Sequence, residues 1–547
     1  MIHWIDLTIL ATFLILIQYT GIYFSRHMKG SVDYFLASRS MPWYWIAMAV
    51  WATGIDLVHG FFAHGAAAYN WGIVQCNFEW IQGPFEFIVA GIFFVAFYWK
   101  SGVFTISEFL ERRLSVWCRL IYTIVWEVFF IITVAAGLYL TALFLESGLG
   151  LNIWLGVLLM LAVSSIFTLV GGLSAVIMTD VVLFFLMILG TIPIYFILTN
   201  RFGEIVQIKD WMISNWGVST EYFNLIPSAV HPYAPGPWII LGLCLVLAMG
   251  WSVAHQALIQ RNLGARTVYD AKFGNIMSTV PKTFGAWLYM IPMALASVYF
   301  AADGIFVPKP DAAYGLMVMN ILPVGLLGIA MVGLFSAGIS TYCSVFNSCA
   351  TMFVRDIYER FFVRDKPDEH YFRVGQITTG VVIVLSFLMV AVVMRTDLIM
   401  TFIQTMLSIF QGPFFAIILL AIFWKRTNGA GGTWGLILGA LVTLALNLMT
   451  EKTFFEVAFY GFLATLVITI IVSLMTKPPR PDQVEGLTWG TGIETRQNVV
   501  EKRAGMAMPA TLVKKVKYKV PWYKDIRIWS TIILLAQIVL LLYFAGV

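Results

Sequence analysis

Residues 335–358 read FSAGISTYCSVFNSCATMFVRDIY and carry no formal charge before Arg355. The stretch nevertheless holds Ser336, Ser340, Thr341, Ser344, Asn347, Ser348 and Thr351. Helical spacing places Ser340, Ser344 and Ser348 on one face, with Ala337, Thr341 and Thr351 beside it. A row of small hydroxyls suits two uses. It lets membrane helices approach closely and hydrogen-bond, or it offers hard oxygen ligands to a small cation such as sodium where neighbouring backbone is loosened. Both readings stand on the residues alone.

A second set of residues is conspicuous by its setting. Asp56, Glu79, Glu86, Glu127, Asp180 and Lys282, with His59 and His255, fall inside apolar segments. A charge at mid-bilayer costs at least about 2.5 kcal/mol, so deeply placed ones tend to serve function. Asp56 follows directly on a weak point of its helix. An acid there suits a cationic amine, a bound ion or a pairing with His59. Glu79 and Lys282 suit either a solute or a mutual pair that balances buried charge. Trp80, next to Glu79, is the ring best placed in sequence to stack on a solute.

The elements that position these residues are membrane helices. Of 547 residues, 60% are hydrophobic and 12% charged, about half the charge of an ordinary soluble protein. Five cysteines lie mostly in apolar segments without metal-binding or disulfide spacing, which reads as packing. Residues 5–24 are expected to form a retained first helix. Hydropathy gives about fourteen spans: 4–25, 42–69, 74–99, 116–146, 151–170, 174–197, 237–260, 272–301, 322–353, 372–394, 397–424, 430–449, 455–476 and 526–546. Lys and Arg collect in alternate loops, at 26–39, 100–119, 261–272, 355–373, 425–426 and 477–527. The positive-inside rule places those loops in the cytoplasm and both termini outside. Two five-helix blocks each open with a glycine-weakened helix, at Thr53-Gly54 and at Gly250-Trp251-Ser252. Paired interruptions of this kind point to inverted repeats with a binding site between them.

Six stretches in order carry a family resemblance: SMPWYWIAMAVWATGI (40–55), FTISEFLERR (104–113), VGGLSAVIMTD (170–180), IQRNLGAR (259–266), the hydroxyl segment ending NSCATMFVRDIY, and GPFFAIILLAIFWKRTNGAGGTWGLILG (412–439). The chain resembles the sodium:solute symporters, closest to their bacterial sodium/sugar branch. The VEGLTWGT segment (484–491) is similar to linkers of that branch. The resemblance implies an all-α, multi-pass, LeuT-like fold of five plus five inverted helices. The divisions expected are a peripheral helix at 1–37, repeats at 38–200 and 237–426, an outer loop at 201–236, and three peripheral helices at 427–547 with a cytoplasmic linker at 477–524.

Carried over residue by residue, the resemblance implies a sodium site of Ala52 and Ile55 carbonyls with Ala337, Ser340 and Thr341. A second sodium site would use Asp180, Ser340 and Ser344; Cys343 stands there in place of the usual serine, and Leu183 where many members have glutamine. A thiol is a poor ligand for a hard cation. The pocket implied draws on Asp56, His59, Glu79, Trp80, His255, Lys282 and Gln404, whose carboxylates, ammonium, amide and imidazoles suit a polyhydroxylated solute. The function expected is sodium-coupled import of a sugar or polyol by alternating access. The coupling ion is Na+, the partners are a small solute and the bilayer, and the chain acts as a monomer or weak homo-oligomer without nucleic acid. The alternatives are an amino acid, amine or sugar-acid symporter, proton coupling, or a non-transporting sensor or assembly subunit. No enzyme motif is present.

Overall fold

The computed structural model describes residues 2–25, 36–491 and 525–545. The basic run at 514–519, part of the expected cytoplasmic linker, falls outside the described residues. Among the described residues ten helices are long and apolar enough to cross a membrane, or eleven with the bent pair Trp43–Gly54 and Leu57–Phe93 taken as one span. Trp4–Ile17 and Ile153–Ser165 are apolar but shorter. The expected fourteen spans therefore do not all appear as separate long helices.

The reason lies partly in a stretch whose helical assignment runs across an expected boundary. Helical hydrogen bonding runs from Ile153 to Phe202, across the expected boundary near 170–174. The Ser164 carbonyl accepts from Cys343 Sγ at 3.7 Å, while Asp180 accepts from Ser340 at 2.5 Å. In a straight helix Ser164 and Asp180 would stand about 24 Å apart. Their partners are three positions apart on one helix, so the stretch is not one straight rod.

The hydroxyl helix, Leu326–Met352, lies at the centre and is buried along nearly its whole length. Its most extensive packing is against the Ile153–Phe202 stretch, and the first helix, Trp4–Ser25, covers both. Asp6 on that first helix accepts from the amides of Gly325 and Gly328, each at 2.7 Å. These amides open the hydroxyl helix and have no partner within it. A helix expected to be peripheral thus supplies the N-terminal cap of the central one.

Both helix interruptions exist, displaced from the glycines. The first helix of the core, Trp43–Gly54, ends at Ile55 (φ −117°, ψ 103°), and Asp56 is extended (φ −122°, ψ −162°). The chain resumes as a wide turn, Leu57–Phe61, at an angle of 64° to what precedes it. Gly60 allows this return, since a Cβ there would meet Ile55 Cγ2 at 2.6 Å. The second interruption is at His255 (φ −86°, ψ 107°), between Ala248–Ala254 and Gln256–Leu263. Gly250 lies inside intact helix and serves close packing: a Cβ would come within 2.9 Å of the Gln411 carbonyl.

Candidate ion and solute sites

The first break frees backbone oxygen. The carbonyls of Ala52 and Thr53 would accept from the amides of residues 56 and 57 in a continuing helix, but the chain leaves helical geometry at Ile55. Ser340 Oγ stands 3.5 Å from the Ala52 carbonyl, and Thr341 Oγ1 stands 3.5 Å from that of Thr53. Both separations exceed the 2.7–2.8 Å of a good hydroxyl hydrogen bond. Two oxygens so spaced would subtend about 90° at a shared cation with ligands about 2.4 Å away. Ile55 and Ala337 are both buried. Thr53, which faces Thr341, joins the oxygens that the resemblance implied here.

Around Asp180 the arrangement differs. Arg261 Nη2 and Nε lie 3.1 and 3.3 Å from Asp180 Oδ2, and Ser340 Oγ donates to Oδ1 at 2.5 Å. The same Nη2 donates to Ser344 Oγ. Asp180 and Arg261 are fully buried. A guanidinium therefore spans the carboxylate and hydroxyl that would hold a second sodium ion, and Cys343 turns away toward Ser164.

Between the two broken helices lies a cavity with about 30 Å³ open to a water-sized molecule, walled on one side by His59, His64, Glu79 and Gln82 and on the other by Trp251, Lys282, Gln404 and Gln411. Lys282 Nζ is 2.8 Å from Glu86 Oε2 and 3.9 Å from Glu79 Oε1. Glu79 Oε1 also accepts from Tyr289, and Gln82 donates to Glu86 at 3.0 Å. Among the described residues no hydrogen-bond partner meets His59 Nε2, Gln82 Oε1 or Gln411 Nε2. Buried polar atoms left this way are costly unless a ligand completes them.

Of the expected pocket residues, His59, Glu79, Lys282 and Gln404 reach this cavity. Three others do not line it. Trp80 points the opposite way, donating from Nε1 to the Thr283 carbonyl at 2.9 Å and packing on Trp287 and Phe544. Adjacent residues on a helix project about 100° apart, so a neighbour of Glu79 leaves the pocket face. Asp56 lies behind His59, with Oδ2 3.3 Å from His59 Nδ1, and it accepts from the amides of Val58 and His59. His255 caps the resumed second helix, accepting from Leu258 N at 3.4 Å, and stacks beside Trp251 at 4.2 Å. The apolar rings that line the cavity are Phe78 and Trp251, the latter 4.6 Å from His59. His64, Gln82, Trp251 and Gln411 were not singled out as pocket residues, although Gln82 falls on the face of Glu79, three positions on. Glu86, given no role from sequence, is the nearer partner of Lys282.

The sodium:solute symporter family model matches residues 34–439. The chain belongs to the sodium:solute symporter family. It is a sodium-coupled symporter of a small solute, with an all-α, LeuT-like fold. Sodium/glucose cotransporter 4 of Mus musculus is 27% identical over 543 residues, covering 90% of this chain and 78% of that protein. The sodium/glucose cotransporter of Vibrio parahaemolyticus is 26% identical, covering 87% of this chain and 91% of that protein. Among solved structures, a Na+-coupled sialic acid symporter in a substrate-bound outward-open state matches with a TM-score of 0.78 at 22% identity, over 87% of this chain and 99% of that one. As a family member the chain is a multi-pass membrane protein whose coupling ion is sodium.

Proposed function

We propose that this symporter imports a sugar or polyol, with one sodium ion bound among the carbonyls of Ala52, Thr53 and Ile55, the Ala337 carbonyl, and the hydroxyls of Ser340 and Thr341. The observation that carries this reading is the pair of hydroxyls facing carbonyls freed at the helix break. The sugar or polyol is held by His59, Glu79, Gln82, Lys282 and Gln404, with Trp251 as the apolar wall. The names of the two sodium/glucose relatives support that class of solute.

Sodium ties the first core helix to the hydroxyl helix, which orders the cavity wall that begins at Gly54. Space of about 30 Å³ admits only one or two waters, so a sugar enters only when the two broken helices move apart. Coupling is then a difference in affinity between two states, with no covalent chemistry and no enzymatic step. Each inward sodium charge contributes about 2.3 kcal/mol per 100 mV of membrane potential. In this reading the chain works as a monomer in the cytoplasmic membrane with both termini outside, and the repeats occupy 38–200 and 237–426. A cationic amine is the second reading, because Glu79 and Glu86 share the single ammonium of Lys282.

The test is thermal stability of the purified protein with sodium, potassium or choline across sugars, polyols, amines and sugar acids, since a ligand stabilises the state it binds. Stabilisation by a sugar or polyol in sodium alone supports the reading. Stabilisation by an amine in its place selects the second one.

A further inference from the structure

The terminal helix, Ile526–Ala545, belongs to neither five-helix repeat, and the chain leading to it lies outside the described residues. It buries one stripe, Ser530, Ile533, Gln537 and Phe544, while Leu535, Val539 and Leu542 on other faces are exposed. Within that stripe Gln537 is 3% exposed and is the one amide in the helix, with apolar residues on either side of it from 532 to 542. A primary amide buried at membrane depth is unfavourable unless its hydrogen bonds are made.

Gln537 makes them to two pocket helices at once. Its Nε2 donates to the Trp80 carbonyl at 2.6 Å, and its Oε1 lies 2.8 Å from Thr283 Oγ1, whose one proton is shared with the Thr279 carbonyl at 2.9 Å. Trp80 Nε1 then donates to the Thr283 carbonyl at 2.9 Å, closing a ring of three side chains. The Trp80 carbonyl is available because Pro84, four residues on, has no N–H to donate to it. Glu79 and Lys282, the acid and the ammonium that face the cavity, directly precede Trp80 and Thr283.

We propose that Gln537 is a positioning residue of the solute pocket: by fastening Trp80 to Thr283 it sets the spacing of Glu79 and Lys282. The proposal rests on the reading that these two side chains hold a sugar or polyol. The terminal helix is thus a working part of the solute site, and its Gln537 touches none of the residues assigned to the sodium ion.

The full chain in proteoliposomes under an inward sodium gradient tests this, with labelled D-glucose, D-galactose and myo-inositol assayed separately. Gln537→Met, which keeps the volume and removes the amide, is expected to raise the half-saturating concentration of the transported solute about fivefold or more. Half-saturating sodium and maximal rate should stay within about twofold. Thr283→Ala removes one bond from the opposite side, and its smaller shift should combine with that of Gln537→Met to less than the product. It also serves if Gln537→Met fails to fold. Glu79→Gln reports on the pocket reading itself. A loss of affinity in Glu79→Gln with none in Gln537→Met or Thr283→Ala overturns the proposal alone. A loss of rate and of sodium affinity without a change in solute half-saturation also overturns it, since that is a general defect. Unchanged affinity in Glu79→Gln, or no uptake of the three probes by the unaltered protein, overturns the pocket reading and the proposal with it.

Discussion

Ser340 Oγ and the Ala52 carbonyl oxygen stand 3.5 Å apart. At the second break the corresponding gap is closed: Tyr122 donates to the Ala254 carbonyl at 2.6 Å and Tyr98 to that of Val253 at 2.8 Å. Both breaks free carbonyls in a setting without bulk water. Long phenols satisfy one pair, while short hydroxyls reach toward the other and leave room for an ion. The difference in side-chain length explains why the two breaks of one fold do different work.

Tyr122→Phe leaves the Ala254 carbonyl buried without a donor. The expected cost is about 1–3 kcal/mol, read as a lower thermal midpoint in detergent. Half-saturating sodium should not change, because the ion site proposed above is at the other break.

The guanidinium between Asp180 and Ser344 predicts one sodium per transport cycle. Sodium activation of uptake should follow a Hill coefficient near one. A coefficient near two, with a reversal potential showing two sodium charges per neutral solute, would mean that Arg261 gives way to an ion.

Asp6→Ala removes the acceptor for the amides of Gly325 and Gly328. Loss of a helix cap costs about 0.5–2 kcal/mol, so the thermal midpoint should fall, with Asp6→Asn, which keeps one acceptor oxygen, falling less. Equal behaviour of the two variants and the parent would remove the first helix from the account of the central one.

A Cβ at Gly285 would stand 2.7 Å from Glu79 Oε2. Gly285→Ala must therefore push the Glu79 carboxylate off its seat. Half-saturating solute should rise several-fold, on the scale of one lost hydrogen bond, while sodium activation stays as in the parent. Saturation curves for both ligands check this.

What the sequence showed and what it hid follow from the same physics. Ser340 and Thr341 could be read because helical spacing is local, and Glu79 and Lys282 because charge inside an apolar run is conspicuous. The breaks were placed at glycines, yet the backbone turns at Ile55-Asp56 and at His255, where side chains cap the resumed helices. Glycine marked close packing at Gly250 and flexible neighbourhood at Gly54. Trp80 was misjudged because adjacency in sequence is divergence on a helix. Arg261 on Asp180, Asp6 on Gly328 and Gln537 on Trp80 join residues 81, 322 and 457 positions apart. No local pattern encodes such pairs.

The most direct test of the ion site is solute uptake into proteoliposomes under an inward sodium gradient, comparing the parent with Ser340→Ala combined with Thr341→Ala. The account predicts sodium-driven accumulation in the parent and, in the double variant, a rise of at least about tenfold in half-saturating sodium, the scale of two lost oxygen ligands. Unchanged sodium dependence in a folded double variant would contradict it and place the coupling ion elsewhere in the bundle.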